Sequence, residues 1–387
     1  MTHSNNGIKR VIFVSNIVGR IGGLSSVVNT LATAFEKRGI KVEHLSKGIP
    51  EETLAPPAGQ KVTQLDIHRE KTTHNPLAKE HKGPLGLKYL VKSLYTVIWD
   101  IQFKKKLHNT FSDFTSEDLL IIVDPYAGQL VLPALKELNR KPNRPLIVTE
   151  FHSRFGSNYQ KAVDSFYPEV IKNSDYFISL TTEDAQNFSE HYGVETLAIS
   201  NPVKPNVYNP DFKTSRSLVV ITRLDGEKNV DRIIKSFDSL RSEYPQWTLA
   251  IYGFGPEQEK IESLIKELAN PAIHFNGSVT QPEAQEILAH ADLGMMASEF
   301  EGIPMFLLEA MASGTPIISS PASPAIVELV GEYGYLATSN SIEDLAEQLR
   351  IALSDRALRE EKARASYEKS KEFSPDAIAQ IWLDLKR

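Results

Sequence analysis

The sequence predicts an α/β protein with two domains, each built on a parallel β-sheet. The chain has 387 residues, which is more than one hydrophobic core usually supports. Short apolar runs typical of buried strands alternate with helical patterns, and this alternation indicates parallel sheets. Residues 199–210 form a polar stretch with three prolines, which is typical of a linker. A chain of this kind divides into two sheet-based domains.

We place the first domain at residues 1–200, the second at 201–370 and a C-terminal helix at 371–387. The predicted strands are residues 11–18, 62–67, 119–123, 146–152 and 176–180 in the first domain, and 218–221, 247–252, 273–275, 289–296 and 316–320 in the second. The predicted helices include residues 27–37, 85–107, 130–138, 342–353, 358–371 and 373–387.

Composition excludes several classes of function. The chain has no cysteine, so it has no disulfide and no thiolate-bound metal, as is usual in a reducing cytoplasm. A net charge of −6 argues against general nucleic-acid binding. Residues 1–10 are polar and the first apolar run is short, so neither a signal peptide nor a transmembrane helix is predicted. We therefore expect a cytoplasmic protein; no oligomeric state is predicted.

Two adjacent glycines, Gly22 and Gly23, follow the first predicted strand and precede a helix. Glycine lets the backbone approach a ligand closely at such a turn, as in phosphate-binding loops. The pattern is neither a Walker loop nor a Gly-x-Gly-x-x-Gly fingerprint, which argues against kinase-like and dinucleotide-binding proteins. A plain tight turn is the alternative interpretation.

A basic and aromatic segment covers residues 79–106, and residues 85–107 are strongly amphipathic. A helix of this type can lie on an anionic membrane, which would make the protein peripheral at the inner face, or can dock an anionic acceptor. The alternative, which we favour, is an ordinary core helix of the first domain with lysines in its last turn.

His152 lies at the carboxyl end of a predicted strand, and Arg154 follows it. Such strand ends line the ligand crevice of open α/β sheets, which favours a functional histidine over a structural one. Arg154 is a weaker candidate for contact with a phosphate or an acceptor.

Two cations follow the first strand of the second domain. Arg223 and Lys228 lie in the turn after residues 218–221, at the carboxyl end of a parallel strand. A guanidinium and an ammonium together suit a diphosphate better than either alone.

A polar loop leads into a helix at Pro304, which ends at Gly314. The first backbone N–H groups of a helix lack partners within it, so this turn offers oriented donors to an anion. Glu301 precedes the helix and Glu309 lies inside it, and each carboxylate can hold a pair of sugar hydroxyls. Solvated glutamates are the alternative interpretation.

These stretches resemble the retaining GT-B glycosyltransferases of family 4. The resemblance rests on Arg223-x4-Lys228 followed by Glu301-x7-Glu309 in a Ser-x-x-Glu-Gly-x-Pro context. It implies a GT-B fold: two Rossmann-like domains, a ligand cleft between them, and a C-terminal helix that crosses back onto the first domain. It also implies that His152 contacts the donor sugar beside the reacting carbon. The residues implied to act in catalysis are His152, Arg223, Lys228 and Glu301, and those implied to bind the donor are Gly22, Gly23, Arg223, Lys228, Gly253, Val279, Glu301, Gly302, Ile303, Pro304, Met305, Phe306 and Glu309.

Two further features qualify the resemblance. Where many members carry a Gly-Gly loop, this chain has Ser320-Pro-Ala-Ser-Pro324, so contacts made by that loop are not carried over. The chain also lacks the Asp-x-Asp triplet that binds metal in the other large glycosyltransferase fold. We expect no cofactor beyond the nucleotide sugar as co-substrate and no essential metal.

The resemblance implies a retaining transferase that moves a hexose or an N-acetylhexosamine from a nucleotide diphosphate sugar. UDP-glucose and UDP-N-acetylglucosamine are the donors expected from family frequency. The acceptor is expected in the cell envelope: a teichoic-acid-like anionic polymer, a polysaccharide or a lipid-linked sugar. The alternatives are a nucleotide-sugar epimerase or hydrolase on the same fold, and a binding protein without turnover.

Overall fold

The computed structural model describes residues 7–18, 23–48, 59–65, 101–206 and 215–386. The chain divides into two compact units. The first comprises Met1–His152, Asn158–Ala198 and Ala379–Arg387, and the second comprises Ser153–Ser157 and Ile199–Ile378. The last helix thus begins in the second unit and ends in the first.

The first unit is built on a parallel sheet whose seven described strands have the order β3-β2-β1-β4-β5-β6-β7. The strands are β1 (Arg10–Ile17), β2 (Lys41–Gly48), β3 (Lys61–Gln64), β4 (Asp118–Ile122), β5 (Leu146–Glu150), β6 (Tyr176–Ser179) and β7 (Thr196–Ala198). Every residue of β4 and β5 is buried. Continuous apolar strands of this kind are typical of the centre of a sheet that is covered on both faces.

The helices of this unit follow its strands, and two of them, at Pro125 and Thr182, begin three residues after a strand ends. The helices are α1 (Gly23–Lys37), α2 (Pro125–Leu138), α3 (Asn158–Val163), α4 (Tyr167–Ile171) and α5 (Thr182–Tyr192), and residues 101–111 are also helical. Asp124 caps α2 by accepting a hydrogen bond from the Ala127 N–H at 2.8 Å, and Pro125 fixes the first helical residue. Thr181 caps α5 in the same way, and Gly193 ends it in the left-handed conformation.

The second unit repeats this plan with a parallel sheet whose six described strands have the order β10-β9-β8-β11-β12-β13. Its strands are β8 (Ser217–Ile221), β9 (Thr248–Tyr252), β10 (Ile273–Phe275), β11 (Leu293–Met296), β12 (Ile317–Ser319) and β13 (Tyr335–Leu336). Its helices are α6 (Val230–Ser239), α7 (Gln258–Leu268), α8 (Gln281–His290), α9 (Met305–Ala312), α10 (Pro324–Tyr333), α11 (Ile342–Ser354), α12 (Arg356–Ser370) and α13 (Pro375–Asp384).

Strand order reverses once in each sheet, and this reversal decides where ligands can bind. The reversal lies between β1 and β4 in the first sheet and between β8 and β11 in the second. In open α/β sheets the crevice outside the carboxyl ends of such a pair of strands is the usual ligand site. The segments that follow β1, β4, β8 and β11 therefore border the expected ligand sites.

Several predicted boundaries are wrong by a few residues. The predicted strand 146–152 ends at Glu150, so His152 lies two residues beyond it. The predicted strand 289–296 is shorter, because α8 continues to His290 before β11 begins at Leu293. Pro304 has an extended ψ of 133° and is the N-cap residue of α9, so the helix begins at Met305.

The predicted helix at 130–138 begins earlier, at Pro125, because the Asp124 cap lies directly after β4. Strands β2, β7 and β13 and helices α3, α4, α7, α8 and α10 were not predicted. Among the described residues, no helix has both the length and the apolar character needed to span a membrane.

Candidate active site

The turn after β8 carries both predicted cations. Asp225 organises this turn: its carboxylate accepts the Glu227 N–H at 3.1 Å and also accepts from Arg223 Nε. The Arg223 side chain is 64% exposed, whereas the Lys228 side chain is 18% exposed. Lys228 is thus held within the unit, and Arg223 reaches into solvent.

The structure brings Lys228 into direct contact with Glu301, 73 residues later in the chain. Lys228 Nζ forms a short ion pair with Glu301 Oε1, and the Ser298 hydroxyl donates to the same oxygen at 2.8 Å. An ammonium has three donors and a carboxylate several acceptor positions, so one shared hydrogen bond leaves capacity for a ligand on both groups. The ion pair thus joins the two motifs, although the sequence did not predict a contact between them.

Hydrogen bonds from neighbouring loops hold the segment before Glu301 in place. The Glu299 N–H donates to the Glu227 carbonyl at 2.9 Å, which joins this segment to the Lys228 turn. The side chains of Asn229 and Asn340 both donate to the Ala297 carbonyl, at 3.1 and 2.9 Å. The loop is therefore fixed before any ligand arrives.

The serine-rich loop after β12 has a structural role that its sequence did not show. The Ser320 hydroxyl donates to the Ser298 carbonyl and the Ser323 hydroxyl donates to the Gly302 carbonyl, each at 2.9 Å. Both serines are buried. They hold the two ends of the segment that carries Glu301, and a Gly-Gly loop has no side chains with which to do this.

The residues from Gly302 to the start of α9 form the predicted anion-binding turn. Ile303 and Pro304 are buried, whereas Gly302, Met305 and Phe306 are half-buried. The Pro304 carbonyl accepts the Leu307 N–H at 3.1 Å, so regular helical bonding begins there. The dipole of α9 has its positive end at this turn.

Glu309 lies on α9 in a partly buried position. Burial raises the pKa of its carboxyl to about 7, although the Gln281 amide at 3.4 Å and the charge of Lys204 act in the opposite direction. At neutral pH this carboxyl is therefore poised to donate or accept a hydrogen bond, as a ribose hydroxyl pair requires.

Gly253 and Val279 follow β9 and β10. Gly253 has a positive φ of 149°, and a Cβ there would overlap the Thr222 carbonyl oxygen. Its N–H donates to the Gly277 carbonyl at 2.8 Å. Close backbone packing is thus a sufficient reason for glycine at this position, and contact with the base stays a prediction for Gly253 and Val279.

The first unit places His152 beside a buried carboxylate. His152 Nε2 lies 2.9 Å from Glu150 Oε1, because residues two apart at the end of an extended strand share a side of the sheet. Both side chains are largely buried, at 17% and 9% exposed. A carboxylate in this position orients the imidazole and stabilises its protonated form.

Asp124 is a second carboxyl at this edge that sequence reasoning did not identify. It accepts hydrogen bonds from the backbone N–H groups of Asn16 and Ala127, at 2.7 and 2.8 Å, and so links the ends of β1 and β4. Burial raises its pKa, while the positive charge of His152 acts to lower it. The sequence did contain a signal for Asp124: an Asp-Pro pair directly after an apolar run is typical of a capped helix that begins at the end of a strand.

The remaining predicted positions are less informative. Gly22 and residues 79–100 lie outside the described residues, and Gly23 is the exposed first residue of α1. Residues 101–106 are helical and mostly exposed, whereas Leu107 and Phe111 of the same helix are buried.

Arg154 clusters with the second unit, where it donates to the Ala322 carbonyl at 3.1 Å. Within the described ranges, no group of metal-binding side chains occurs.

Two Rossmann-like units with parallel sheets define a GT-B fold, and solved GT-B glycosyltransferases share it. A variant of TarM from S. aureus, crystallised with Fondaparinux, alpha-GlcNAc-glycerol and UDP, superposes with a TM-score of 0.72 at 13% identity. The alignment covers 97% of this chain and 99% of that one.

Sequence comparisons point to the same class of protein. Residues 209–371 match the model of the family glycosyl transferases group 1. An uncharacterized glycosyltransferase of Haemophilus influenzae is 24% identical over 97% of this chain and 99% of that protein. The poly(glycerol-phosphate) alpha-glucosyltransferase of Bacillus subtilis is 25% identical over 60% of this chain and 36% of its own length. The family match and these relatives support a glycosyltransferase.

Proposed function

We propose that this protein transfers a sugar from a nucleotide diphosphate sugar to a cell-envelope glycan, with retention at the anomeric carbon. The observation that carries the proposal is the Lys228–Glu301 pair, which lies where strand order reverses in the second sheet and directly before the start of α9. A cation, a carboxylate and a helix N-terminus together match the diphosphate and sugar portions of one ligand.

The positive groups stabilise the departing diphosphate. Negative charge builds on the phosphate oxygens as the bond to the sugar breaks, and Lys228, Arg223 and the N–H groups at the start of α9 are assigned to that charge. Removing one such preorganised group typically costs about 3 kcal/mol of transition-state stabilisation. Lys228 is the group most firmly held, since its partner Glu301 is itself fixed by Ser298.

The carboxylates orient the neutral parts of the donor. Glu301 is assigned to the donor-sugar hydroxyls and Glu309 to the ribose, while His152 contacts the sugar beside the reacting carbon. Gly22, Gly23, Gly253 and Val279 complete the proposed donor contacts.

The proposed reaction breaks the bond between the anomeric carbon and the diphosphate oxygen. The acceptor oxygen bonds to the same face of that carbon, and its proton passes to a departing phosphate oxygen. The products are a glycoside and a nucleoside diphosphate. No carboxylate is assigned as a covalent nucleophile, and no divalent ion is assigned a role.

We propose UDP-glucose or UDP-N-acetylglucosamine as donor and a cytoplasmic site of action. UDP as the nucleotide is supported by the TarM complex, and a cell-envelope polymer as acceptor is supported by the acceptor named for the B. subtilis relative. Residues 79–106 are the proposed point of contact with an anionic acceptor or membrane surface.

The first test measures release of nucleoside diphosphate by the purified full-length chain. A panel of nucleotide sugars is incubated in EDTA, with and without cell-envelope extract. We expect one donor to give acceptor-dependent release and the extract to gain that sugar, with retained configuration by NMR.

Other results would separate the alternatives. Interconversion of the sugar without release of diphosphate would indicate an epimerase, and release that is independent of acceptor would indicate a hydrolase. Tight binding of a nucleotide sugar without turnover would indicate a binding protein. Activity that disappears in EDTA and returns with Mg²⁺ would contradict the metal-free mechanism.

A further inference from the structure

Two exposed tyrosines lie at the carboxyl edge of the first sheet. Tyr126 is the second residue of α2, which follows β4, and Tyr159 is the second residue of α3, which follows β5. Their side chains are exposed, and their ring centroids are 6.3 Å apart. The pair thus forms a continuous aromatic surface, which we call the tyrosine pair.

Packing underneath fixes both rings. Tyr159 stacks on the buried ring of Phe151, with centroids 5.5 Å apart and planes inclined by 12°. Tyr126 packs against Phe166 at 5.5 Å. Rings held in this way present a broad amphipathic surface whose ordering cost has been met before a ligand binds.

Polar residues lie close to the tyrosine pair along the chain. Asp124 lies two residues before Tyr126 and caps the same helix, and the His152–Glu150 pair follows β5 just before α3. Burial, together with the charge of Asp124, raises the pKa of the Tyr159 phenol, so its hydroxyl remains a neutral donor at physiological pH. An aromatic surface bordered by carboxyl and imidazole groups matches a sugar, which has apolar C–H faces and a rim of hydroxyls.

We infer that the tyrosine pair binds the pyranose ring at the end of the acceptor, an inference that rests on the proposed function. The ring face packs on Tyr126 and Tyr159, and its hydroxyls lie toward Asp124 and His152. A bare poly(glycerol phosphate) chain has no ring to stack, and the carboxyl groups of Asp124 and Glu150 disfavour its phosphates. The acceptor therefore ends in a sugar: a polysaccharide, a lipid-linked sugar or an already glycosylated polymer.

The test compares acceptors and variants of the full-length chain. The probes are oligosaccharides with a terminal pyranose and an unsubstituted synthetic poly(glycerol phosphate), each with the donor that the first assay identifies. Tyr126→Leu and Tyr159→Leu keep apolar packing on Phe166 and Phe151 but remove the flat ring, whereas the Phe variants keep it. Lys161→Ala, an exposed change on the same short helix as Tyr159, is the matched control.

We expect transfer to a pyranose-terminated probe, with an acceptor KM at least tenfold higher in each Leu variant and within threefold of the parent in each Phe variant and in Lys161→Ala. The dissociation constant for the nucleoside diphosphate should change less than twofold in the Leu variants. A larger change would indicate that a variant is misfolded. Transfer with unchanged acceptor KM in both Leu variants, or transfer only to poly(glycerol phosphate), would overturn the inference and leave the proposed function standing. Absence of transfer from every donor to every probe and extract would overturn both.

Discussion

The two sheets place different chemistry at the points where their strand order reverses. In the second sheet, Lys228 and Arg223 follow β8, and Glu301 follows β11 with its charge matched by Lys228. In the first sheet, Asp124 follows β4 at the reversal, and the His152–Glu150 pair lies at the end of the neighbouring strand β5, beside exposed aromatic rings. Cations and a helix start suit a diphosphate, whereas carboxyl groups and aromatic rings suit a neutral sugar. One fold, used twice, thus carries two different sets of side chains on its loops.

The two edges also hold their buried carboxyl groups in different ways. Glu301 forms an ion pair with Lys228 and accepts a hydrogen bond from the Ser298 hydroxyl. Asp124 instead depends on two backbone N–H groups, and burial raises its pKa. The Lys228–Glu301 ion pair can open to receive charged groups of a ligand. The Asp124 carboxyl, which is held by two backbone N–H groups, keeps its position when a neutral ligand binds.

The largest expected effect comes from breaking the charged pair of the second unit. Lys228→Ala removes the best-held cation assigned to the diphosphate, and we expect kcat to fall by a factor of about 100 to 1,000, as for loss of a preorganised donor. The change also leaves Glu301 largely buried without its cation, which lowers the melting temperature. Steady-state kinetics and thermal melts measure the two effects separately.

A double variant separates catalysis from stability. Lys228→Met with Glu301→Gln removes both charges at similar volume, so the melting temperature should recover while activity stays low. Lys235→Ala, an exposed lysine paired with Asp231 on α6, is the matched control and should behave like the parent. Recovery of activity in the double variant would show that Lys228 acts only by compensating Glu301.

Local sequence provided more candidate residues for the second unit than for the first. Arg223 and Lys228 share one turn, and Glu301 and Glu309 share one loop and helix, so spacing within a short stretch identified them. Asp124 becomes visible as a site residue only when β1 pairs with β4 and brings the Asn16 N–H to it across 108 positions of sequence. Pairing of distant strands is set by the packing of the whole sheet, which no local pattern encodes.

The serine-rich loop shows the same limit in the second unit. Ser320 and Ser323 interrupted the family pattern, and the sequence therefore gave no role for them. In the structure they hold the carbonyls of Ser298 and Gly302 on either side of Glu301. Positioning by hydrogen bonds to backbone carbonyls leaves no recognisable motif, because any donor side chain at the right distance can do it.

A smaller effect is expected from neutralising the partner of His152. Glu150→Gln keeps a group of the same shape beside Nε2 but removes the charge that stabilises the imidazolium. We expect kcat to fall about tenfold, the lower end for losing the partner that orients a functional histidine. His152→Ala should cost more, because the contact with the sugar is lost as well.

The pH profile tests whether Glu150 acts through His152. Glu150→Gln should move the acid limb of the kcat profile, because the variant removes the negative charge next to the His152 imidazole. Glu169→Gln, an exposed carboxylate paired with Lys136 on α4, serves as control and should leave the profile in place. A tenfold loss of kcat without any movement of the limb would indicate that Glu150 is needed for packing only.

The last expected effect, at Glu309, concerns stability rather than turnover. Burial raises the pKa of Glu309 from 4.5 to about 7, so the folded protein binds more protons than the unfolded chain between these values. Stability therefore falls as pH rises through this window, by an amount on the order of 3 kcal/mol when the full shift applies. Glu309→Gln mimics the protonated form, so the variant should be more stable than the parent at pH 8 and similar to it near pH 4.5.

Glu283 on α8 provides a control with the opposite sign. Its pKa is lowered by hydrogen bonds from Thr280, so its contribution to stability is present above its ordinary pKa and is lost as the pH falls. Thermal melts at pH 8 should show Glu309→Gln more stable than the parent and Glu283→Gln less stable, and the deficit of Glu283→Gln should shrink only when the pH falls below about 4.5. Equal pH slopes for the parent and Glu309→Gln would mean that water reaches Glu309 freely, and its assignment to a desolvated ribose contact would then lose its physical basis.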